Sequence, residues 1–555
     1  AALLVFAIAL PGLCRAVPPA YATTSYGSVR GNLLPNGAEE FLGMPFGVAE
    51  RFEDSGIRKQ PFPQSPLDAT YYGPACLQTL TSNTTYGKED CLVMNVWTPA
   101  ARDVDDKLPV LVWIYGGAND YGEAEPYNAS QLAVDQHAVV ASFNYRTGPL
   151  GFLVFEEQLK ANQSSGNYAL KDMHTALRWV QKEIHNFGGD RSQIGIFGQS
   201  SGAGAVELLT VIPSGNGLFK SAISESGGLS AGSLKEALNV TAEMAKRLNC
   251  STRGFESALE CMKQTSGDAI IIAQAVQCIT PNQCFGLNFG PVVDGLFLPE
   301  SPLEMAKQGR VNDVDIMFGV NTNDSYLFIL GQFQKPLHKQ AYIDLVKSSF
   351  KNDSIAAQAL ELYPPLDDPR ANNVPMYGYM QSDKQICGTK REVHAYSKAN
   401  KGGTYIYRFN YWYQSTTSCT AVANYHEPDF GSMHQDEVSF VFGMPIFMNI
   451  GYSNCSEPGW PGYDPTCVGC KFDKKERAFA KTVGHFWVNM ASSGSPNRRE
   501  GQQNLPDDVP WPEYNVIEQR NIVLEPVVFP FSPETMIVER AMGRATACSF
   551  WDSVA

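Results

Sequence analysis

The chain has 555 residues, and 44% of them are hydrophobic, so it can bury an extensive core. Its formal net charge is -14, and no cluster of lysine and arginine stands out, so neither nucleic acid nor anionic lipid is expected as a partner. No run of about 18 apolar residues, the length that spans a bilayer, is present, and a stable membrane anchor is therefore not expected.

The first residues have the pattern of an export signal. Residues 1–10 form a short apolar segment, and small residues follow as far as Ala16. This pattern predicts a signal peptide over residues 1–16, with its start missing and its cleavage point approximate, and hence a secreted, extracellular protein. The rest, residues 17–555, has no linker, repeat or charge block, and predicts a single large catalytic domain.

Cysteine usage agrees with export. Of 13 cysteines, Cys14 belongs to the predicted signal peptide, and the even number that remains favours disulfide bonds. The C-x-x-C pair at residues 467–470 lacks a second ligand pair nearby, so no zinc site, and no other cofactor, is expected. Sequons provide candidate glycan sites at Asn83, Asn128, Asn162, Asn239, Asn249, Asn352 and Asn454.

Apolar, strand-like runs recur along the chain, and helical patterns separate several of them. The clearest helical pattern covers residues 172–187, where apolar residues recur at helical spacing. This alternation predicts a mostly parallel central sheet with helices on both faces, in which sites gather at the carboxyl ends of the strands. The predicted strands cover residues 109–115, 139–145, 193–197, 222–224, 314–320 and 404–409.

The sequence G-Q-S-S-G at residues 198–202 follows a predicted strand and precedes a helix start rich in small residues. A nucleophile elbow requires strand, sharp turn and helix in this order, with small residues two positions away on each side of the serine. The two glycines satisfy this requirement for Ser200 and not for Ser201. Ser200 is therefore the candidate nucleophile, and the alternative is a serine in an ordinary glycine-rich turn.

A second run of small residues, Gly116 to Asn119, directly follows the predicted strand at 109–115. Small residues in this place let the backbone approach a substrate closely and direct its N–H groups towards it. The alternative interpretation is a flexible turn.

With these two segments in place, the chain resembles the type-B carboxylesterase/lipase family of α/β-hydrolases, which includes cholinesterases and secreted fungal lipases. The resemblance covers nearly the whole mature chain and implies an α/β-hydrolase fold with long loop excursions and the activity of a serine carboxylesterase. Its landmarks are F-L-G-M-P-F at 41–46, E-D-C-L-V-M-N-V-W at 89–97, N-Y-R-T-G-P-L-G-F at 144–152, F-G-G-D at 187–190 and P-V-V-D-G at 291–295.

The resemblance implies two catalytic partners for Ser200. Asp324 matches the family's acid position, at the end of the G-V-N-T-N-D sequence at 319–324, although the family usually has Glu there. The shorter carboxylate still suits the order Ser, Asp/Glu, His, but must lie closer to the imidazole. Asn323 heads a further sequon, which we expect to be too buried for glycosylation.

The family's histidine loop resembles residues 431–443, up to its V-F-G end, and this identifies His434 as the base. His426 is the nearest rival in sequence. The oxyanion hole of the family, which stabilises the negative oxygen of the intermediate, corresponds to Gly117, Ala118 and Ser201.

The resemblance also implies three disulfides, namely Cys76 with Cys91, Cys250 with Cys261 and Cys387 with Cys548. Cys278 and Cys284 are close enough in sequence to pair with each other. Cys419, Cys455, Cys467 and Cys470 then have three alternative pairings.

Two departures from the family bear on the substrate. The segment between Cys76 and Cys91 is short, polar and without Trp, whereas related fungal lipases have a long apolar lid there and cholinesterases a choline-binding Trp. Gln199 replaces the acidic residue that usually precedes the serine in cholinesterases.

These departures argue against choline esters and against activation at a lipid surface. They favour a small-molecule ester substrate with a soluble short- to medium-chain acyl group. An interfacial lipase or sterol esterase, and a non-catalytic cholinesterase-like binding module, are the alternatives. The sequence does not define the oligomeric state or the preferred alcohol.

Overall fold

The computed structural model describes residues 19–81, 83–102, 106–280, 283–330, 332–333, 335–411, 431–446, 472–497, 510–525 and 536–554. Several sequence predictions lie outside these residues, and they concern the signal peptide at 1–16, His426, Asn454 and the cysteines Cys419, Cys455, Cys467 and Cys470.

The strands are β1 (Pro19–Thr24), β2 (Gly27–Leu33), β3 (Ala38–Pro45), β4 (Gly47–Val48), β5 (Gly56–Ile57), β6 (Leu67–Asp68), β7 (Gln78–Thr81), β8 (Thr84–Tyr86), β9 (Val93–Pro99), β10 (Leu108–Ile114), β11 (Val139–Phe143), β12 (Gly189–Gln199), β13 (Ser221–Glu225), β14 (Ala275–Thr280), β15 (Gln283–Gly286), β16 (Asp315–Asn321), β17 (Thr404–Phe409), β18 (Arg520–Leu524) and β19 (Met536–Arg540).

The α-helices are α1 (Ser130–Gln136), α2 (Gly148–Phe152), α3 (Glu156–Lys160), α4 (Tyr168–Glu183), α5 (Ser201–Val211), α6 (Leu234–Arg247), α7 (Ala258–Gln264), α8 (Gly267–Gln274), α9 (Pro302–Lys307), α10 (Tyr326–Leu330), α11 (Lys339–Ser349), α12 (Asp353–Leu362), α13 (Val374–Ala399), α14 (Val438–Phe442), α15 (Lys474–Ser493) and α16 (Ala545–Val554).

In the described part of the chain, 13 strands form one large sheet in the order β1-β2-β3-β9-β11-β10-β12-β13-β16-β17-β18-β19, with β6 beside β2. The strands from β11 to β18 in this order are parallel to their neighbours, and antiparallel strands extend the sheet on both sides. Helices flank the sheet. The predicted mostly parallel α/β architecture is therefore confirmed.

Burial explains why the central strands read as continuous apolar runs. Every residue of β10, β11 and β13 is buried, because both faces of these strands are covered. Strand β1 at the sheet edge instead alternates exposed and buried residues, as expected where one face meets water.

The predicted strands are all present, with ends that differ by a few residues. The predicted helix at 172–187 is confirmed as α4, which begins earlier, at Tyr168. Its last predicted turn, Ile184–Phe187, is a 3-10 helix, and the next residue, Gly188, has a φ of 89° in the left-handed region. Glycine adopts this conformation without a steric penalty, and it is a common way to end a helix.

Three disulfides join the pairs that the resemblance implies: Cys76–Cys91, Cys250–Cys261 and Cys387–Cys548. The backbone register of β14 and β15 sets Cys278 opposite Cys284, although their side chains lie outside the description.

Candidate active site

Ser200 lies at the sharp turn between β12, which ends at Gln199, and α5, which begins at Ser201. Its φ of 60° and ψ of -129° are unusual for any residue with a side chain. The Ser200 N–H donates a hydrogen bond to the carbonyl of Glu225 on the neighbouring strand, at 2.9 Å, and this contact helps to hold the turn. The predicted order of strand, turn and helix is therefore confirmed.

Close backbone contacts explain the glycines around this turn. A Cβ atom on Gly198 would lie 2.6 Å from the carbonyl oxygen of Ile114, and one on Gly202 would lie 2.2 Å from the same oxygen. A Cβ on Gly116 would lie 2.8 Å from the Cβ of Ser200. Real atoms do not approach so closely, so any larger residue at these positions would displace the turn.

The small residues after β10 form a loop beside Ser200, which we call the glycine loop (residues 116–122). Gly117, Ala118 and Asn119 all have positive φ values, of 121°, 55° and 66°. The N–H of Asn119 donates to the hydroxyl oxygen of Ser201 at 3.1 Å, and its carbonyl accepts from the Gly148 N–H at 2.7 Å. The loop is thus tied to the first residue of α5.

Three backbone N–H groups beside Ser200 are free to bind a ligand, namely those of Gly117, Ala118 and Ser201. Within the described residues, none of the three donates a hydrogen bond, whereas most of the surrounding backbone is paired. Buried or partly buried N–H groups normally have a partner. These donors are available to an oxygen atom of a bound molecule.

His434 lies in the loop between β17 and α14, and Asp324 lies just after β16. The imidazole Nδ1 of His434 donates a hydrogen bond to Oδ1 of Asp324, and both side chains are buried. The other oxygen of Asp324 accepts hydrogen bonds from the Asn321 N–H, at 2.8 Å, and from the Ser226 hydroxyl. Asp324 is therefore held from several directions and fixes the orientation of the ring.

Two opposing influences act on the pKa of Asp324. Burial raises it, because a charged group loses its hydration. The nearby His434 and the hydrogen bonds from His434, Ser226 and Asn321 lower it, and together they outweigh burial. The pKa of Asp324 is therefore below its ordinary value, and the carboxylate is charged at neutral pH.

The second ring nitrogen of His434 has an unexpected partner. Its Nε2 lies 3.0 Å from the side-chain Nε2 of Gln199, the residue before Ser200. Within the described residues, Ser200 itself makes no side-chain hydrogen bond to His434. The ring of Phe328 packs against the imidazole, with ring centres 4.8 Å apart. The structure thus brings His434 to the Ser200 turn through Gln199.

Further carboxyl groups lie behind Asp324. Glu225 accepts a hydrogen bond from the Trp487 indole at 2.6 Å, and Glu437 accepts one from the Asn321 side chain. Burial raises the pKa of Glu225 well above its ordinary value, helped by repulsion from Glu437, and burial raises that of Glu437 to about 8. Both carboxyl groups therefore keep their protons to higher pH than an exposed glutamic acid does.

Sequence reasoning missed Glu225 and Ser226 altogether. One signal was present, because the E-S-G sequence at 225–227 directly follows a predicted strand. Polar residues at the carboxyl end of a parallel strand are in the place where sites gather. The ring of His434 bonds to Asp324, whereas Asp436 accepts a hydrogen bond from the Met433 N–H and Glu437 accepts one from the Asn321 side chain.

The rim of the site includes the Cys76–Cys91 segment, which contains the β7–β8 hairpin. The side chain of Gln78 makes two hydrogen bonds, of 2.8 and 2.9 Å, to the backbone of Gly122 at the end of the glycine loop. Two aromatic side chains by the site are partly exposed, namely Phe328 at 51% and Tyr121 at 37%. The rim is therefore polar on the hairpin side and carries apolar surface elsewhere.

The described residues contain no group of three or more His, Cys, Asp or Glu side chains arranged to hold a metal ion. They also contain no helix that combines the length and the hydropathy needed to cross a membrane.

A mostly parallel sheet with a strained serine between a strand and a helix, together with an Asp-bonded histidine that contacts the same turn, is the arrangement of an α/β-hydrolase. The model of the Carboxylesterase family matches residues 18–527, so the chain belongs to this family and is a serine ester hydrolase.

Three relatives show the breadth of this similarity. The bile salt-activated lipase of Mus musculus is 31% identical over 507 residues, which are 86% of this chain and 77% of the lipase. The bile salt-activated lipase of Rattus norvegicus is 30% identical over 505 residues, which are 85% of this chain and 75% of the lipase. The acetylcholinesterase of Bungarus fasciatus is 28% identical over 579 aligned residues, covering 97% of this chain and 88% of the acetylcholinesterase.

Proposed function

We propose that the protein hydrolyses soluble carboxylic esters with short to medium acyl chains through an acyl-enzyme, using Ser200 as nucleophile, His434 as base and Asp324 as acid. The observation that carries this proposal is the position of His434. One ring nitrogen is bonded to the charged Asp324, and the other faces the Ser200 turn.

In the first half of the proposed reaction, Ser200 attacks the carbonyl carbon of the ester. Its neutral hydroxyl is a weak nucleophile, so Nε2 of His434 takes the proton as the new C–O bond forms. The tetrahedral intermediate then expels the alcohol oxygen, which receives the proton from His434. The products of this half are the free alcohol and an ester between the acyl group and Ser200.

In the second half, water replaces the alcohol. His434 takes a proton from water as its oxygen attacks the acyl carbon, and returns the proton to the Ser200 oxygen as the acid leaves. Asp324 keeps the proton of the neutral ring on Nδ1 and stabilises the charged ring when it forms. The low pKa of Asp324 supports this role, because a charged partner is required.

The negative oxygen of each tetrahedral intermediate requires N–H donors. We assign these to Gly117, Ala118 and Ser201, whose N–H groups make no hydrogen bond within the described residues. Removal of one such donor can cost about a hundredfold in rate. The left-handed backbone of the glycine loop, fixed by its hydrogen bonds to Ser201 and Gly148, supports this assignment.

Titration with an organophosphate tests the proposal, because such a compound reacts with the activated serine of a serine hydrolase. We expect one adduct per chain, located on Ser200 by mass spectrometry, and loss of ester hydrolysis in step with labelling. Ser200→Ala should take no label. An active enzyme that is labelled elsewhere, or not at all, would contradict the proposed nucleophile. A folded chain with neither labelling nor hydrolysis would favour the non-catalytic binding module.

The preference for soluble esters rests on the Cys76–Cys91 segment. Its hairpin is short and polar, and the exposed Asn83 in it heads a sequon. Hydrated groups resist transfer to an oil surface, so this side of the rim opposes docking on lipid. We expect dissolved tributyrin to be cleaved faster than emulsified triolein at equal enzyme concentration, with no rise in activity above substrate solubility.

An interfacial lipase or sterol esterase is the second candidate. The names of the mouse and rat relatives favour it, as do the partly exposed rings of Phe328 and Tyr121 beside the site. A clear preference for emulsified triolein in the same experiment would select it over the soluble esterase.

We also propose that the protein is secreted, with residues 17–555 as one catalytic domain. The disulfides support an oxidising compartment. Exposed sequon asparagines support passage through a glycosylating pathway: Asn83, Asn162, Asn239, Asn249 and Asn352. Asn323 is fully buried, in agreement with the expectation that it carries no glycan. Expression in a secreting eukaryotic cell, followed by a glycosidase shift assay of the medium, tests both secretion and glycosylation.

A further inference from the structure

Gln199 lies at the end of β12, with only 1% of its surface exposed. Its side chain reaches across to His434, 235 residues later in the chain, and makes a 3.0 Å contact between the two nitrogen atoms. Two nitrogens at this distance form a hydrogen bond only if one donates and the other accepts. The identity of the donor follows from the other side of the ring.

Nδ1 of His434 carries a proton, because it faces a carboxylate that can only accept. In a neutral imidazole the other nitrogen, Nε2, then has a lone pair and no proton. The Gln199 amide nitrogen must therefore be the donor. This lone pair is also the one that receives the Ser200 proton in the proposed mechanism, so Gln199 and Ser200 compete for one atom.

We propose that Gln199 is a positioning residue whose amide donates a hydrogen bond to Nε2 of His434 in the resting enzyme. Acylation then requires Nε2 to give up this hydrogen bond and to accept one from the Ser200 hydroxyl. This inference rests on the proposed function of Ser200 and His434. It gives a role to a residue that departs from the acidic one usual in cholinesterases.

An amide and a carboxylate at position 199 interact differently with the imidazole ring of His434. An amide donor matches the neutral ring, and it opposes a ring that carries a proton on Nε2. A carboxylate cannot donate, but it attracts the charged ring. Gln199 therefore donates to the lone pair that Ser200 requires, which a carboxylate in its place could not do.

Other charged and titratable groups also face the ring. Asp324 bonds to Nδ1, Glu437 interacts with the ring electrostatically, and Asp436 belongs to the same loop. Substitution of Gln199 leaves all three in place. A change in the pH dependence of such a variant therefore reports on position 199.

Two variants separate this role from a purely structural one. Gln199→Met keeps the length and volume of the side chain but has no donor. We expect its kcat/KM for a soluble ester to rise about fivefold, the factor that corresponds to the roughly 1 kcal/mol of one hydrogen bond, with KM little changed. Gln193→Met is the matched control, since Gln193 lies on the same strand and bonds to Asp190 rather than to His434.

Gln199→Glu supplies the second measurement. A carboxylate beside Nε2 stabilises the protonated ring, so His434 becomes a competent base only at higher pH. We expect the acidic limb of the kcat/KM profile to move to higher pH relative to the wild type and to Gln193→Met. A merely structural role for Gln199 would leave this limb in place.

The inference is overturned if folded Gln199→Met is no faster than the wild type, or if the acidic limb of Gln199→Glu coincides with that of the wild type. Failure of the proposed function would look different, because Ser200→Ala would then retain turnover or the organophosphate would not label Ser200. Labelling of Ser200 together with unchanged Gln199 variants would refute the role of Gln199 alone.

Discussion

Contacts between backbone atoms fix the serine turn (residues 198–202), whereas hydrogen bonds between buried side chains fix the histidine loop (residues 431–437). In the serine turn, an added Cβ on Gly198 or Gly202 would collide with the carbonyl oxygen of Ile114. In the histidine loop, the ring depends on Asp324, which in turn depends on hydrogen bonds from Ser226 and Asn321.

This difference predicts how each region responds to change. A backbone turn held by steric contacts admits one geometry, so it tolerates no added atom but is insensitive to charge. A side-chain network responds to charge, and through the contact between Gln199 and His434 it reaches the serine turn itself. Around the histidine loop, the pKa of Asp324 is lowered while burial raises the pKa values of Glu225 and Glu437, so negative charge is favoured on the carboxylate that contacts the ring.

The largest expected effect lies in the serine turn. Ser200→Ala removes the proposed nucleophile without altering the backbone contacts, so kcat should fall on the order of a millionfold while thermal unfolding stays near that of the wild type. Steady-state kinetics and a melting curve measure both. Substantial turnover by the folded variant would exclude Ser200 as nucleophile.

The next effect tests the histidine loop. Asp324→Asn keeps the size of the side chain but removes its charge and allows it to donate to the ring, which sets the wrong tautomer. We expect kcat to fall about ten-thousandfold, as in comparable triads. Asp436→Asn is the control, because this neighbouring carboxyl accepts from the Met433 N–H rather than from His434. Equal losses in the two variants would argue against Asp324 as the specific partner.

The same contrast explains which parts of the fold and the site could be predicted from the sequence. The serine turn could be predicted without a structure, because its requirements are local: an apolar strand, a serine and two glycines at fixed spacing. The strand, the turn and the start of α5 are all found there. The central strands were predictable for a similar reason, since burial on both faces requires a continuous apolar run.

The histidine loop has no such local signature. His434 and Asp324 are 110 residues apart, and only the resemblance to a family assigned them. The partners of Glu225 and Gln199 could not be predicted either, because Trp487 lies 262 residues from Glu225 and His434 lies 235 residues from Gln199. Contacts at such separations depend on how the whole sheet is assembled.

A smaller effect is expected where the serine turn meets the glycine loop. Ser201→Ala keeps the backbone N–H assigned to the oxyanion hole but removes the hydroxyl that accepts from Asn119. Loss of one hydrogen bond of about 1 kcal/mol should lower kcat about fivefold, with little change in KM. Ser201→Thr retains the hydroxyl and should recover most of the activity. An equally slow Thr variant would contradict the role of this hydrogen bond.

The smallest effect concerns stability rather than activity, and it tests the electrostatics around the histidine loop. Burial raises the pKa of Glu437 from its ordinary 4.5 to about 8 in the folded protein. A group whose folded pKa is raised favours folding below the unfolded pKa, and this contribution is lost as pH rises through the folded pKa. Between about pH 4.5 and 8, therefore, the wild type should lose stability relative to Glu437→Gln, whose amide resembles the protonated acid and can still accept from Asn321. We expect Tm of the variant to exceed that of the wild type by about 2 °C at pH 8.5 and the difference to shrink towards pH 5. A difference that does not change with pH would mean that Glu437 is charged in the folded protein across this range.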